Sequence, residues 1–125
     1  MKLTKSLLLA AAATALLLLS PQRAPAQDPA VVNAKTIRVK LENNRVRVLE
    51  AALPPGAKEQ MHSHPAYVIY VIAGGKVRNH AADGTVSEVE LATGETIYRD
   101  PVTHWAENIG TTTIRIVLVE LKGPA

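Results

Sequence analysis

The hydrophobic and polar positions of residues 36–121 alternate with the period of β-strands. Ile37, Val39 and Leu41 alternate with charged residues, and the segment 45–48 alternates in the same way after a short turn. A period of two is typical of a strand that buries one face. This region therefore predicts a β-hairpin.

Short runs of β-branched and aromatic residues continue along the chain between turn signals. The runs 67–72, 96–98 and 113–121 predict strands, and Asp83-Gly84 predicts the turn of another hairpin. About eight strands and no helix result, with turns roughly every 8 to 12 residues, which favours a sandwich or a closed barrel. Closure also removes the exposed edges of a sheet that is rich in valine and isoleucine.

The first 26 residues have the pattern of a secretory signal peptide. Lys2 and Lys5 provide a basic start, residues 7–19 are an apolar run, and Ala24-Pro25-Ala26 offers small residues at a cleavage site. The run is shorter than the roughly 20 residues that span a bilayer, so a retained anchor is the weaker interpretation. Because there is no cysteine for lipidation, we expect a periplasmic or secreted protein with no stable membrane anchor after cleavage.

Removal of this segment changes the charge of the chain. Three of the 14 basic residues, Lys2, Lys5 and Arg23, lie within it, which leaves 11 basic residues beside the 11 acidic ones. The net charge of residues 27–125 is therefore zero. No basic cluster with stacking aromatic residues remains, and this excludes nucleic acid as an expected partner.

Residues 27–125 are enough for one domain with a modest core. We expect an extended N-terminal arm over residues 27–35, a barrel over residues 36–121 and a C-terminal tail over residues 122–125. A small exported domain without disulfides depends on packing, a metal ion or oligomerisation. A bound ion and a homodimer are therefore both favoured.

Three of the four histidines are candidates for a metal site. His62 and His64 stand two residues apart, and such side chains in a strand project from one face, about 7 Å apart along the backbone. Both imidazoles can thus converge on one ion, with His104 as the candidate third ligand from another strand. On spacing alone, surface or hydrogen-bonded histidines are the more common explanation, so the neighbouring residues decide.

The residues around these histidines resemble the two sequence motifs of the cupin family. The first motif is a glycine, five residues, a His-x-His pair, a strand and a second glycine, here Gly56, His62, His64 and Gly74. The second is a glycine, a proline, a histidine and an asparagine, here Gly94, Pro101, His104 and Asn108. The resemblance covers residues 36–121. It implies an all-β fold with a single cupin-type β-barrel (double-stranded β-helix or jelly roll), a metal site and a homodimer.

The chain departs from the family pattern at two places. Family members commonly carry a metal-binding glutamate three or four residues after the second histidine, where this chain has Val68 and Ile69. The internal glycine of the second motif is also missing, since Val102-Thr103 spans the distance from Pro101 to His104. This shortens the loop that carries the third ligand.

The missing glutamate changes the expected chemistry. Three neutral imidazoles leave a divalent ion, whether Fe, Mn, Ni, Cu or Zn, with its full charge and about three open positions for water, an anion or dioxygen. Such a site favours anions that chelate. The other possibility is a pocket that no longer holds a metal.

Six further residues are candidates for the pocket or for positions next to the ligands: Gln60, Tyr67, Val68, Arg78, Trp105 and Asn108. Gln60 either acts as a fourth ligand or is an exposed residue at the entry of the strand. Arg78 shares its parity with His80, so both could face inward and meet an anion, although the nearby turn favours an exposed His80.

The remaining candidates have structural alternatives. Tyr67 is expected to pack with a satisfied hydroxyl, and Trp105 to wall the cavity or fill a dimer interface. Asn108 is expected to hydrogen-bond backbone close to the second motif. Glu107, from its alternation, is expected to face solvent.

Three classes of function stay open. The first is a metal-dependent, oxygenase-like enzyme that acts on a small anionic or polar molecule. The second is a non-catalytic cupin that binds a small molecule or a metal, and the third is a structural barrel. Cupins include several kinds of enzyme as well as non-enzymatic binding proteins, so the resemblance is specific to the fold and not to an activity. Nucleophilic catalysis is not indicated, since there is no cysteine and no Gly-x-Ser-x-Gly.

Overall fold

Nine β-strands and one helical turn make up residues 27–124, the part of the chain that the computed structural model describes. The strands are β1 (Ile37–Glu42), β2 (Val46–Leu53), β3 (His62–His64), β4 (Tyr67–Ala73), β5 (Gly75–Ala81), β6 (Val86–Leu91), β7 (Thr96–Arg99), β8 (Val102–Asn108) and β9 (Ile114–Leu121). The all-β class predicted from the sequence is confirmed. The predicted signal peptide, residues 1–26, lies outside the described residues.

Two antiparallel sheets form the double-stranded β-helix, or jelly roll, that the sequence predicted. The five-stranded sheet has the order β1-β2-β9-β4-β7, and the four-stranded sheet has the order β3-β8-β5-β6. Strands β2 and β9, which are far apart in sequence, pair over eight consecutive residue pairs. The two ends of the domain therefore close on each other in the middle of the larger sheet.

The hydrophobic core lies between the sheets. Leu49 of β2 and Val71 of β4 are fully buried in one cluster, and a second cluster joins Leu53 of the larger sheet to Val77 and Ala106 of the smaller one. Alternate residues of each strand point into this space. Inward positions that carry polar side chains are therefore the exceptions in a core of this kind, and three of them are histidines.

The N-terminal segment is a helical turn, α1 (Pro29–Val32), and not the extended arm that the sequence predicted. Asp28 caps it by accepting a hydrogen bond from the Ala30 backbone N–H at 2.9 Å, and Pro29 begins the helix where its missing N–H costs nothing. A four-residue helix is too short to produce a hydrophobic period, so only the Asp-Pro pair signals it. Among residues 27–124, no helix is long and apolar enough to span a bilayer.

Candidate metal centre

The pairing of β3 with β8 brings the three predicted ligands together. His62 lies opposite His104 in this antiparallel pair, and His64 lies two residues further along the same face of β3. Side chains opposite each other on neighbouring strands have Cβ atoms about 4.5 to 5.5 Å apart. One ligand nitrogen from each histidine lies within 4.8 Å of the other two. The shortened second motif therefore does not keep His104 away from the cluster.

Burial keeps two of these imidazoles neutral. These two are His62, which is 1 % exposed, and His104. Loss of hydration lowers the pKa of His62 to about 4, and the neighbouring His64 adds to this effect. Burial likewise lowers the pKa of His104 to about 3, with a further contribution from the other two rings. At neutral pH His62 and His104 are thus in the unprotonated form that binds metal ions.

Hydrogen bonds from outside β3 fix the orientation of the His62 ring. Its Nδ1 lies 2.7 Å from the Gln60 carbonyl oxygen and 3.1 Å from the Asn33 Nδ2. The shorter contact is to an atom that only accepts, so we assign the proton to Nδ1 and the lone pair to Nε2. Asn33 holds the same backbone, because its Oδ1 accepts from the Gln60 N–H at 2.6 Å and its Nδ2 donates to the Gln60 carbonyl at 3.2 Å. The Gln60 side chain is exposed. Its backbone, and not the predicted side-chain ligand, therefore contributes to the site.

A buried carboxylate orients the second histidine. The His64 Nδ1 lies 2.7 Å from Glu120 Oε2, which leaves Nε2 of His64 as the nitrogen with a lone pair. Glu120 belongs to β9 and is 3 % exposed, and the Arg47 guanidinium lies 3.8 Å from its other oxygen. Histidine ligands in metal sites commonly donate to such a carboxylate, which makes the imidazole a stronger ligand. Glu120 is not among the residues predicted from the sequence, although its parity with Leu118 places it on the inward face of β9.

Glu59 is a second carboxylate that the sequence analysis missed. Its Oε2 lies 3.3 Å from Nε2 of His62, and its side chain is 12 % exposed. Burial raises the pKa of Glu59 to about 7. The family position of the glutamate, in the region of Val68 and Ile69, holds no carboxylate, and the candidate ligand group consists of the three histidines. Glu59 instead approaches His62 from the segment before β3.

A cavity of about 570 Å³ lies between the sheets, and the three histidines form part of its wall. Other polar residues in the wall include Glu59, Tyr67, Asn79, Arg99 and Asp100, and the apolar wall includes Ile37, Ile69, Val77, Leu91, Ile116 and Leu118. Tyr67, a predicted pocket residue, packs its ring 4.7 Å from that of His64. Burial raises the pKa of Tyr67 to about 12, against the opposing effect of Arg99, so its hydroxyl remains a hydrogen-bond donor. A volume of this size suits a small molecule.

Three other predicted pocket residues lie on the outer faces of the sheets. Val68 alternates with the inward Tyr67, and Arg78 alternates with the inward Val77. The Arg78 guanidinium instead pairs with Glu88 at 2.9 Å and with Glu107 at 3.0 Å. Trp105 follows the inward His104 and stacks on His80, with ring centroids 3.6 Å apart. The strand period that places the histidines inward thus places these side chains outward.

The last two residues of β8 have mainly structural contacts. Asn108 is buried, and its Nδ2 donates to the carbonyls of Leu53 at 2.8 Å and Thr112 at 2.7 Å, as the sequence predicted for a backbone-binding side chain. Glu107 is only 9 % exposed, so the expectation that it faces solvent is wrong. On the outer face it contacts Arg78 and His80, which cover it.

Known proteins share this architecture. A cupin domain from Bordetella pertussis superposes with a TM-score of 0.64 at 28 % identity, over 70 % of this chain and 92 % of that one. A double-stranded β-helix domain protein from Klebsiella pneumoniae gives 0.54 at 27 %, over 70 % and 76 %. An RmlC-like cupin family protein from Methanocaldococcus jannaschii gives 0.57 at 16 %, over 69 % and 78 %, and at that identity it shows the fold alone.

The sequence itself carries the same assignment. None of the curated proteins matches the chain. The family model described as a cupin domain matches residues 49–120, which is more than half of the chain and includes β3, β8 and all three histidines. Together with the two facing sheets, this match shows that the chain belongs to the cupin superfamily.

Proposed function

We propose that this protein binds one divalent metal ion through His62, His64 and His104 and holds a small anionic or polar molecule beside it. The observation that supports this most strongly is the convergence of three imidazole nitrogens, within 4.8 Å of one another, on the wall of a cavity. The lone pairs of three imidazole nitrogens that converge in a poorly hydrated site repel one another unless a positive charge lies among them. The donor set therefore fits a metal ion.

The fixed orientation of two rings supports the same proposal. Hydrogen bonds from Nδ1 of His62 and His64 leave Nε2 of each ring available as a ligand. Imidazole ligands suit iron, nickel, copper and zinc, so these ions and manganese are the ones to test. An ion bound here would supply a Lewis acid or an oxygen-binding centre, as an oxygenase-like enzyme requires.

The cavity wall supports a small molecule with a polar or anionic group as the ligand. Tyr67 keeps its proton and can donate a hydrogen bond near His64. Arg99 lies in the same wall and carries a positive charge that would attract an anion. The apolar part of the wall would cover the remainder of the bound ligand and exclude water from it. This exclusion strengthens the polar contacts of the ligand.

Metal analysis of the purified protein tests this proposal. The protein, produced in cells supplied with iron, manganese, nickel, copper and zinc, is expected to contain close to one ion per chain. Replacement of His62 and His104 by alanine together should abolish the binding. Retention of the metal in this double variant, or no metal in the unchanged protein, would contradict the proposal.

Turnover assays then distinguish an enzyme from a binding protein. Dioxygen uptake with diketone, thiol and phenolic substrates is the expected result for an oxygenase-like enzyme. A protein that holds ferrous iron and never consumes dioxygen is instead a non-catalytic cupin that captures its ligand.

We also propose that the protein is exported and dimeric. The proposal of export is supported by the signal-peptide pattern of residues 1–26, and cell fractionation tests it. The proposal of a homodimer is supported by exposed apolar side chains on the outer face of the five-stranded sheet, among them Tyr70 and Tyr98.

A further inference from the structure

Glu59 is a buried carboxylate without a basic partner among the described residues. Its side chain is 12 % exposed, and the only nitrogen within salt-bridge distance of it in residues 27–124 is Nε2 of His62. A buried carboxylate is costly unless a positive charge or several hydrogen-bond donors compensate it. The fold therefore places this carboxyl group at the cavity wall, where its ionised form costs stability.

The contact between Glu59 and His62 is unfavourable without an intervening positive charge. His62 donates its Nδ1–H to the Gln60 carbonyl, so its Nε2 presents a lone pair. The carboxylate oxygen at 3.3 Å presents another. Two acceptors at this distance repel each other unless a proton or a metal ion lies between them.

The distance between Glu59 and His62 is compatible with a shared metal ion. Divalent ions bind nitrogen and oxygen ligands at about 2.0 to 2.2 Å, so a single ion can bridge a gap of 3.3 Å. The backbone also holds Glu59 in place, because its N–H donates to the Ala106 carbonyl of β8 at 2.9 Å. The same strand carries His104. The backbone of Glu59 is thus fixed relative to His104, and it lies three residues before His62 in the chain.

We propose that Glu59 is the carboxylate ligand of this metal centre, provided by the segment before β3. This assignment rests on the proposed function and deepens it. With Glu59 bound, a divalent ion keeps a net charge of one and has fewer open positions than a site with three histidines alone. The favoured ligand is therefore a monoanion or a neutral molecule with one or two donor atoms, and not a chelating dianion.

The test compares the wild-type protein with Glu59→Gln and with the matched control Glu90→Gln. Glu90 is an exposed residue of β6, so its substitution removes the same charge outside the cavity. The affinity for Co²⁺ and Zn²⁺ is measured by competition with a chelator, and the visible absorption of the Co²⁺ form reports the ligand set. The melting temperature of the metal-free protein is measured in parallel.

Glu59→Gln should lower both affinities at least about 10-fold, since even residues that only orient a ligand contribute about 10- to 100-fold. It should also change the Co²⁺ absorption and leave the melting temperature of the metal-free protein equal or higher, because an uncompensated buried charge is removed. Glu90→Gln should leave all three quantities unchanged.

Three results would overturn the assignment. If the wild-type protein binds metal and Glu59→Gln binds it with the same affinity and absorption, Glu59 is not a ligand although the proposed function stands. A lowered melting temperature with unchanged affinity would show instead that Glu59 and His62 share a proton for structural reasons. If the wild-type protein binds no Co²⁺ or Zn²⁺, the proposed function fails and this assignment fails with it.

Discussion

The orientation of His62 and His64 depends in part on residues that are distant from them in sequence, Asn33 and Glu120. Asn33 and the Gln60 backbone fix the first ring, and Glu120 of β9 fixes the second. The two proposed ligands are thus two positions apart, whereas Asn33 and Glu120, which help to orient them, come from opposite ends of the domain. Mutations of these orienting groups should change how strongly the histidines bind an ion without removing the histidines themselves.

Glu120→Gln should weaken metal binding without removing a ligand. A glutamine can still accept the hydrogen bond from His64 Nδ1, but the negative charge that makes the imidazole a stronger ligand is lost. We expect a loss of about 10-fold in Zn²⁺ affinity, at the lower end of the range for such partners. Chelator competition measures it.

The matched control for this change is Glu42→Gln. Glu42 also pairs with Arg47, at 3.5 Å, but lies on the surface. The Glu42→Gln variant should bind Zn²⁺ with the affinity of the wild-type protein. An equal loss in both variants would show that Arg47, and not the carboxylate beside His64, is responsible.

Three buried groups give the metal-free protein a pH-dependent stability. The pKa values of His62 and His104 fall from 6.5 to about 4 and about 3 on folding, so below pH 6.5 the unfolded chain binds two more protons. The pKa of Glu59 rises from 4.5 to about 7, so the folded protein binds one more proton between pH 4.5 and pH 7. Unfolding therefore takes up a net of one proton between pH 6.5 and pH 4.5.

Stability should accordingly be highest near pH 6.5 and fall as the pH is lowered. A net uptake of one proton corresponds to a loss of about 1.4 kcal/mol in unfolding free energy per pH unit. In His104→Asn the contributions of His62 and Glu59 cancel, so its stability should be flat between pH 6.5 and pH 4.5. Urea unfolding in the presence of a chelator measures both slopes, and equal slopes would refute the assignment of these shifts.

Among the elements, strands with a clear period were predictable and short segments were not. Alternation predicted the hairpin that became β1 and β2, and the motif spacing predicted that His62, His64 and His104 would meet. The same alternation places Arg78 and Trp105 outward. The sequence alone did not show which alternate residues of β5 and β8 point into the cavity. Glu59 escaped because it lies in a segment without regular structure between Leu53 and His62.

The helical turn α1 has a role that composition could not reveal. It positions Asn33, which is buried and bonds both backbone groups of Gln60. A segment predicted as an arm thus supports the first ligand. Its effect depends on a contact between residues 27 positions apart, which no local pattern records.

Asn33→Ala should therefore disturb both stability and metal binding. The change leaves the Gln60 N–H without its partner, at a cost of about 1 to 3 kcal/mol, and it loosens the His62 ring, so Zn²⁺ affinity should fall. Asn43→Ala is the control, because Asn43 Oδ1 also accepts backbone N–H groups, from Arg45 and Val46, in a turn of the β1–β2 hairpin. The control should lose stability only, as measured by urea unfolding, whereas unchanged affinity in Asn33→Ala would contradict the supporting role.

At the scale of the whole molecule, the two sheets divide the chemistry between an inner and an outer surface. The inner surface holds the cavity with its histidines and carboxylates. The outer surface of the smaller sheet is polar around Arg78 and Glu107. The outer surface of the larger sheet is different, because strand parity places Tyr70 and Ile72 of β4 there.

This outer surface predicts the site of self-association. Tyr70 is 49 % exposed and Tyr98 is 58 % exposed, and Tyr98 pairs with the outward Val68 in the neighbouring strand. Contiguous exposed apolar side chains of this kind mark interaction surfaces. A second copy of the chain could pack its own sheet against this face, as in the isologous interfaces of symmetric dimers.

We expect light scattering to give the mass of a dimer for the wild-type protein and of a monomer for Tyr70→Lys. A lysine at this position puts an unpaired charge into the apolar interface, while in the monomer it stays exposed and costs little stability. Val86→Lys is the control, since Val86 is 54 % exposed but lies on β6 of the other sheet, and it should remain dimeric. A wild-type monomer, or a Tyr70→Lys variant that still forms the dimer, would show that the tyrosine face is not the interface.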